Sequence, residues 1–226
     1  MIPLGDDRLS ALKPHVTYAL IAACTAVFLW QRSLGAALDR RAIDALGAIP
    51  AVLLTDARLP QDLAWVPRYA TPFTSMFLHG GWMHLLGNML FLWIYGDNVE
   101  DGMGHARYLL FYVSCGIAAI LAQALSDPQS PYPIIGASGA ISGVLGAYLL
   151  LFPRAKVLTL VLLPFFFTTL RVPAMLLLPL WFAVQLVSDF AGSGGGVAFR
   201  AHIGGFLAGM LLVPILKRRE VKLFAP

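Results

Sequence analysis

Charge is what this sequence has least of. Only 12% of its 226 residues are Asp, Glu, Lys or Arg, against about 25% in an ordinary soluble domain. With 58% of residues hydrophobic, a large separate soluble domain is excluded and a polytopic membrane protein is indicated. Cysteine is equally scarce. Cys24 and Cys115 lie inside separate apolar runs, which excludes a disulfide framework or a cysteine-based zinc site and leaves both as core residues. A basic stripe is missing too. The formal net charge is +4, but Lys and Arg gather at the ends of apolar runs, so they orient the chain in a bilayer and do not point to nucleic acid. No small-residue cleavage site follows the first apolar run, which therefore reads as a retained span and not as a removed signal. There is no internal repeat.

What is present is a series of apolar runs at 15–31, 80–96, 106–125, 138–152, 173–190 and 200–216. A bilayer crossing needs about 20 residues, fewer with local thinning, so the expectation is an all-α, six-helix membrane bundle. The stretch 157–170 is apolar but short, contains Pro164, and is bounded by Lys156 and Arg171. It reads as an excursion along the membrane surface, not a seventh crossing. Residues 32–79 are too polar for lipid and are punctuated by Pro50, Pro60, Trp65, Pro67 and Pro72, as in a folded outer loop at the interface. The glycine-rich 192–196 is expected to be mobile.

With six spans, Lys13, Lys156, Lys217 and Lys222 fall on one side, together with Arg8, Arg107, Arg154, Arg218 and Arg219. That side is the cytoplasm. Residues 1–14 and 217–226 are then cytoplasmic tails flanking a membrane domain at 15–216. Arg32, Arg40, Arg41, Arg58 and Arg68 oppose this, but they lie in a long loop, which weighs little.

Polar residues within spans are costly, so each is a functional candidate. Ser138 opens the fourth span in Gly-Ala-Ser-Gly at 136–139, where helix N–H groups point at developing negative charge. A lone serine there reads equally well as a helix cap. His202 opens the sixth span, with Gly205 and Gly209 on its helical face. Gly139, Gly143 and Gly146 give the fourth span small surfaces, and glycine-lined helices approach closely enough for side chains to hydrogen-bond. The two residues meet at one membrane face only if a single crossing separates them, which excluding 157–170 provides. His84 and Asn88, spaced i,i+4 in the second span, share a face. They serve either as interhelical polar glue or as donors to an oxyanion.

His-x-x-x-Asn in the second span, Gly-x-Ser-Gly opening the fourth and Ala-His-x-x-Gly-x-x-x-Gly in the sixth together resemble the rhomboid intramembrane serine proteases, over residues 65–216. The resemblance implies a Ser138–His202 catalytic dyad in a water-filled cavity open to the outer side and capped by 192–196. His84, Asn88 and Gly136 become oxyanion- and substrate-positioning residues. No metal or organic cofactor is implied. The expected partners are transmembrane-helix substrates and membrane lipids, and the compact form points to a bacterial inner membrane. Three positions depart from the pattern: Pro67 precedes Arg68 where some members have Trp-Arg, Ser142 stands where some carry an aromatic ring against the imidazole, and Val197 replaces a common glycine. His79 is placed at the cavity mouth, Asp189, His15 and His105 at interfaces, and Glu100 in a structural role. The rivals are a catalytically silent relative that binds membrane helices, and a haem, metal or transport protein using His84 and His202.

Overall fold

The computed structural model describes residues 1–162, 166–192 and 197–224. Every apolar run expected to span is a helix: α1 (His15–Ser33), α5 (Trp82–Met103), α6 (His105–Ser126), α7 (Ser138–Leu151), α8 (Ala174–Phe190) and α9 (Phe199–Leu216). The outer segment between α1 and α5 holds α2 (Gly35–Leu46), α3 (Pro50–Leu54), α4 (Thr71–Thr74) and short 3-10 turns. Pro50 is the first residue of α3 and Pro72 the second of α4, both in the first turn, where the missing N–H costs nothing. Gly104, at φ +81°, makes the tight reversal between α5 and α6 that a Cβ would disfavour. Among the described residues, α6 and α9 are long and apolar enough to cross a bilayer, and α7 and α8 are shorter apolar helices.

The all-α expectation needs one correction. A three-stranded antiparallel sheet forms from β1 (Ile2–Asp6), β2 (Lys156–Leu162) and β3 (Phe167–Pro173), with β2 in the middle. The register sets Ile2 opposite Leu160 and Asp6 opposite Val157. The supposed excursion at 157–170 is thus mostly two strands of a hairpin, its residues 163–165 lying outside those described. Val157, Thr159, Val161, Thr168, Thr169 and Val172 are β-branched and suit a pleated ribbon. The hairpin returns the chain to its starting point, since Ala174 N–H donates to Ala155 O at 2.9 Å and Met175 N–H to Pro153 O at 2.8 Å. Likewise the N-terminal stretch is no loose tail, because β1 zips onto β2. Residues 193–196, most of the expected mobile cap, also lie outside the described residues.

An acidic cluster at the C-terminal end of α5 ties this end together. Buried Glu100 accepts from Val16 N–H at 2.9 Å, Thr17 N–H at 2.8 Å and Thr17 Oγ1 at 2.7 Å, satisfying the open first turn of α1. His105 Nδ1 lies 2.6 Å from the same carboxylate. Asp6 accepts from Tyr148 Oη and from Asn98 Nδ2, pinning β1 to α5 and α7. Arg218 pairs with Asp101 at 3.1 Å, and Phe224 N–H reaches Leu150 O. Both terminal stretches therefore gather at one end of the bundle, and the candidate site lies at the other.

A glycine seam joins α7 to α9. A Cβ on Gly205 would fall 2.0 Å from Gly139 O, one on Gly209 2.0 Å from Gly143 O, and one on Gly146 2.2 Å from Phe206 O. From Gly139–Gly205 to Gly143–Gly209 the numbers rise together on both helices, so the two run parallel. Gly143 also abuts Cys115 and Gly204 abuts Ala122, seating α6 antiparallel to both. Gly209→Ala should cost about 1–3 kcal/mol through overpacking, at about 2–4 °C of Tm per kcal/mol in a chain of this size. Thermal unfolding followed by thiol labelling of buried Cys24 and Cys115 reads this. Gly87→Ala, where a Cβ meets nothing within 4 Å, should not lower Tm.

Candidate active site

Ser138 is the first residue of α7 and His202 lies in the first turn of α9. The parallel seam brings the two starts together, and Ser138 Oγ lies 2.9 Å from His202 Nε2. The residue preceding α7 is Ala137, and α7 has no side-chain cap. The Ser138 hydroxyl is therefore turned to the imidazole instead of back onto its own helix. Ser142, one turn on, bonds to its helix instead, donating from Oγ to Ser138 O at 2.7 Å.

The other nitrogen of His202, Nδ1, lies 2.8 Å from Gln185 Oε1. Gln185 is buried on α8, and its Nε2 points to Trp181 O at 3.5 Å. Reversing the amide would set oxygen against oxygen, so the acceptor faces His202. An amide oxygen only accepts, hence Nδ1 carries the proton and Nε2 offers its lone pair to the serine hydroxyl. That tautomer is the one a general base requires. The Trp181 ring lies 6.0 Å from the imidazole at 35°, and Phe199 meets it edge-on at 6.5 Å.

His84 and Asn88 project from α5 into the same cavity of about 700 Å³, which Ser138 and His202 also line. His84 Nδ1 accepts from Gly80 N–H at 3.4 Å, leaving its Nε2–H free to donate toward the cavity. Gly136, at φ +111°, sits directly beneath. A Cβ there would lie 2.7 Å from His84 Nε2 and 3.7 Å from Asn88 Nδ2, so only glycine leaves the donors open. Gly136 N–H is itself held by Ser75 O at 2.9 Å.

Asn88 Nδ2 lies 3.0 Å from His79 Nε2, and His79 Nδ1 lies 3.2 Å from Phe77 O. The carbonyl fixes the proton on His79 Nδ1, so Nε2 accepts from one Asn88 N–H and leaves the other available. His79 N–H donates to Gln31 Oε1 at 3.0 Å, and Gln31 Nε2 donates to Asp39, which pairs with Arg32. His79 is fully buried, so it lies not at the mouth of the cavity but behind Asn88. Sequence reading passed over Gln31 and Gln185 because both are uncharged residues within or at the edge of apolar runs. Their one signal was an amide where lipid or core offers it no partner. Asp189 joins Arg200 at 3.0 Å, linking α8 to α9. Among the described residues, no three His, Cys, Asp or Glu side chains converge as metal ligands.

A bundle of apolar helices enclosing a hydrogen-bonded Ser–His pair beside outward-facing amide and imidazole donors defines a class: helical membrane proteins with a polar site inside. The rhomboid domain family model matches residues 67–219. The rhomboid protease GluP of Bacillus subtilis (strain 168) is 35% identical over 88% of this chain. RHOMBOID-like protein 5 of Arabidopsis thaliana is 33% identical over 65%, and mitochondrial Rhomboid protein 1 of Saccharomyces cerevisiae 32% over 61%. The chain belongs to the rhomboid family, and so is an integral membrane protein. It spans only 35%, 43% and 39% of those three relatives' own lengths.

Burial and the neighbouring His84 push the His79 imidazole down to about 4, from 6.5. Between those values the unfolded chain binds a proton that the folded one refuses, so stability falls as the pH drops from about 6.5 to about 4. The loss reaches at most about 3 kcal/mol, from 1.36 kcal/mol per unit. Tm measured across this range should decline, and His79→Gln should flatten the decline.

Proposed function

We propose that the chain is an intramembrane serine endopeptidase with six membrane spans. Its spans are α1 and α5–α9, and both termini lie on the cytoplasmic side of a bacterial inner membrane. The lysine distribution supports that orientation, and the hairpin at 156–173, which ends where it began, supports the count. Residues 15–216 then form the catalytic domain, between terminal stretches at 1–14 and 217–226. The single observation that carries the catalytic reading is the 2.9 Å approach of Ser138 Oγ to His202 Nε2 inside an apolar bundle. A half-buried hydroxyl and imidazole in hydrogen-bond contact, with the lone pair facing the hydroxyl, form an activated nucleophile.

Ser138 Oγ attacks the scissile carbonyl carbon while His202 Nε2 takes its proton. The carbonyl oxygen becomes an oxyanion, received by His84 Nε2–H, the free Asn88 N–H and the Ser138 backbone N–H. Gly136 keeps that space open. His202 returns the proton to the leaving amine nitrogen, and a water deprotonated by the same imidazole then releases the acyl group from Ser138. A carbonyl within a regular helix is already hydrogen-bonded and shielded, so the substrate is a transmembrane helix that unwinds near the outer face, with small residues at the cut. The partners are such membrane proteins and the surrounding lipid. The reading calls for no cofactor and no nucleic acid.

Purified wild type should cleave a model single-span substrate and react with a fluorophosphonate, and Ser138→Ala should abolish both. Labelling or cleavage surviving in Ser138→Ala would reject Ser138 as the nucleophile, and wild type that neither cleaves nor labels would favour a catalytically silent helix-binding relative. A visible chromophore or stoichiometric metal in the preparation would favour the haem or metal rival. Asn88→Ala should lower kcat roughly 100- to 1,000-fold, as loss of one oxyanion donor does, and should also lower Tm somewhat, because His79 Nε2 loses its buried partner.

A further inference from the structure

Ser138 itself apart, α7 gives the His202 imidazole no side-chain support at the next turn, because Ser142 spends its hydroxyl on Ser138 O. The support comes from α8. Trp181 and Gln185 are one helical turn apart, hence on one face, and both touch His202: the indole lies 6.0 Å from the ring and Gln185 Oε1 lies 2.8 Å from Nδ1. Gln185 is only 8% exposed and is the one buried residue in the second half of α8. Its amide is aimed by the Trp181 carbonyl, which takes the Nε2–H at 3.5 Å. A glutamine is costly in such a place unless its polar atoms are used, and here one end is spent on its own helix and the other on the imidazole.

We propose that Gln185 is a positioning residue for the peptidase. It holds the proton on His202 Nδ1 and sets the ring angle, so that Nε2 keeps its lone pair on Ser138 Oγ. Gln185 does not touch the scissile bond. Its oxygen stabilises the imidazolium that forms when Ser138 gives up its proton, and it does so without a negative charge of its own. A neutral acceptor suits a site in low dielectric, where a buried carboxylate would carry a heavy desolvation cost. Trp181 restricts the ring from its face, taking the part that a side chain at position 142 does not play here.

This inference rests on the Ser138–His202 reading, and one experiment separates the two. Wild type, Gln185→Leu and Gln185→Glu are compared for kcat and KM on a single-span substrate and for the rate of fluorophosphonate labelling. Gln185→Leu removes the acceptor in an apolar surrounding that tolerates leucine. Its kcat should fall roughly 10- to 100-fold, a part of the roughly 100- to 10,000-fold that proton transfer by a positioned base contributes. KM should stay within about twofold, and the labelling rate should fall in parallel with kcat. Gln185→Glu keeps an oxygen at the same reach and should recover most of the loss. A Gln185→Leu enzyme with wild-type kcat, a change in KM alone, or an equal loss in Leu and Glu variants overturns the positioning role and leaves the dyad standing. Wild type that neither cleaves nor labels at Ser138 overturns the dyad, and this inference with it.

Discussion

The bundle depends on how closely α7 and α9 approach. Their backbones touch through Gly139 and Gly205, then through Gly143 and Gly209, with carbonyl oxygens filling the space where a Cβ would stand. Between apolar helices in lipid there is little hydrophobic drive to associate, so close backbone packing carries much of the attraction. The same approach sets the geometry of the candidate site. Ser138 stands one residue before Gly139 and His202 three before Gly205, so the first contact of the seam fixes the separation of the two side chains. The spacing of a hydroxyl and an imidazole is here decided by glycines that carry no side chain at all.

Polar groups at the candidate site follow a second constraint: in an apolar interior a donor left without an acceptor is costly. The arrangement is a set of short chains that start in the outer segment or on a neighbouring helix and end at the site. Arg32, Asp39, Gln31 and His79 lead to Asn88, and Trp181 O and Gln185 lead to His202. Each link leaves the terminal residue with one defined donor or lone pair facing the cavity. Fixing protons this way needs no charged group beside Ser138 and His202, which suits a medium where charge is expensive.

How much of this was legible in the sequence differs by the range of the interaction. The helices at 15–33, 82–103, 105–126, 138–151, 174–190 and 199–216 follow from runs of local apolar residues, and their limits shift from the apolar runs by only a few residues except at the end of α5. That helix continues through Asp97, Glu100 and Asp101 because each carboxylate meets a partner from another part of the chain. The sheet was not legible, since β1 finds β2 some 150 residues away and five residues at a terminus give no pattern of their own. Ser138, His202, His84 and Asn88 stood out as polar residues in apolar runs. Gln185 met the same description, but its purpose shows only when α8 packs beside α9. His79 was readable as a candidate, but its burial behind Asn88 depends on Gln31 from α1.

The position of α8 ties these strands together. Its first turn is held by backbone bonds to Pro153 and Ala155 at the base of the hairpin, and there Ala174, Leu177 and Leu178 are buried. Beyond Pro179, inside the helix, much of the surface is exposed, and the contacts inward are Trp181 and Phe182 with the rings of α9, Gln185 with His202, and Asp189 with Arg200. The helix that orients His202 is thus anchored firmly at the end far from the candidate site and by a few specific contacts near it. Those contacts are polar or aromatic, directional and few, so His202 is held by geometry more than by dense packing. The glycine seam fixes where the imidazole stands, and α8 fixes which way it faces.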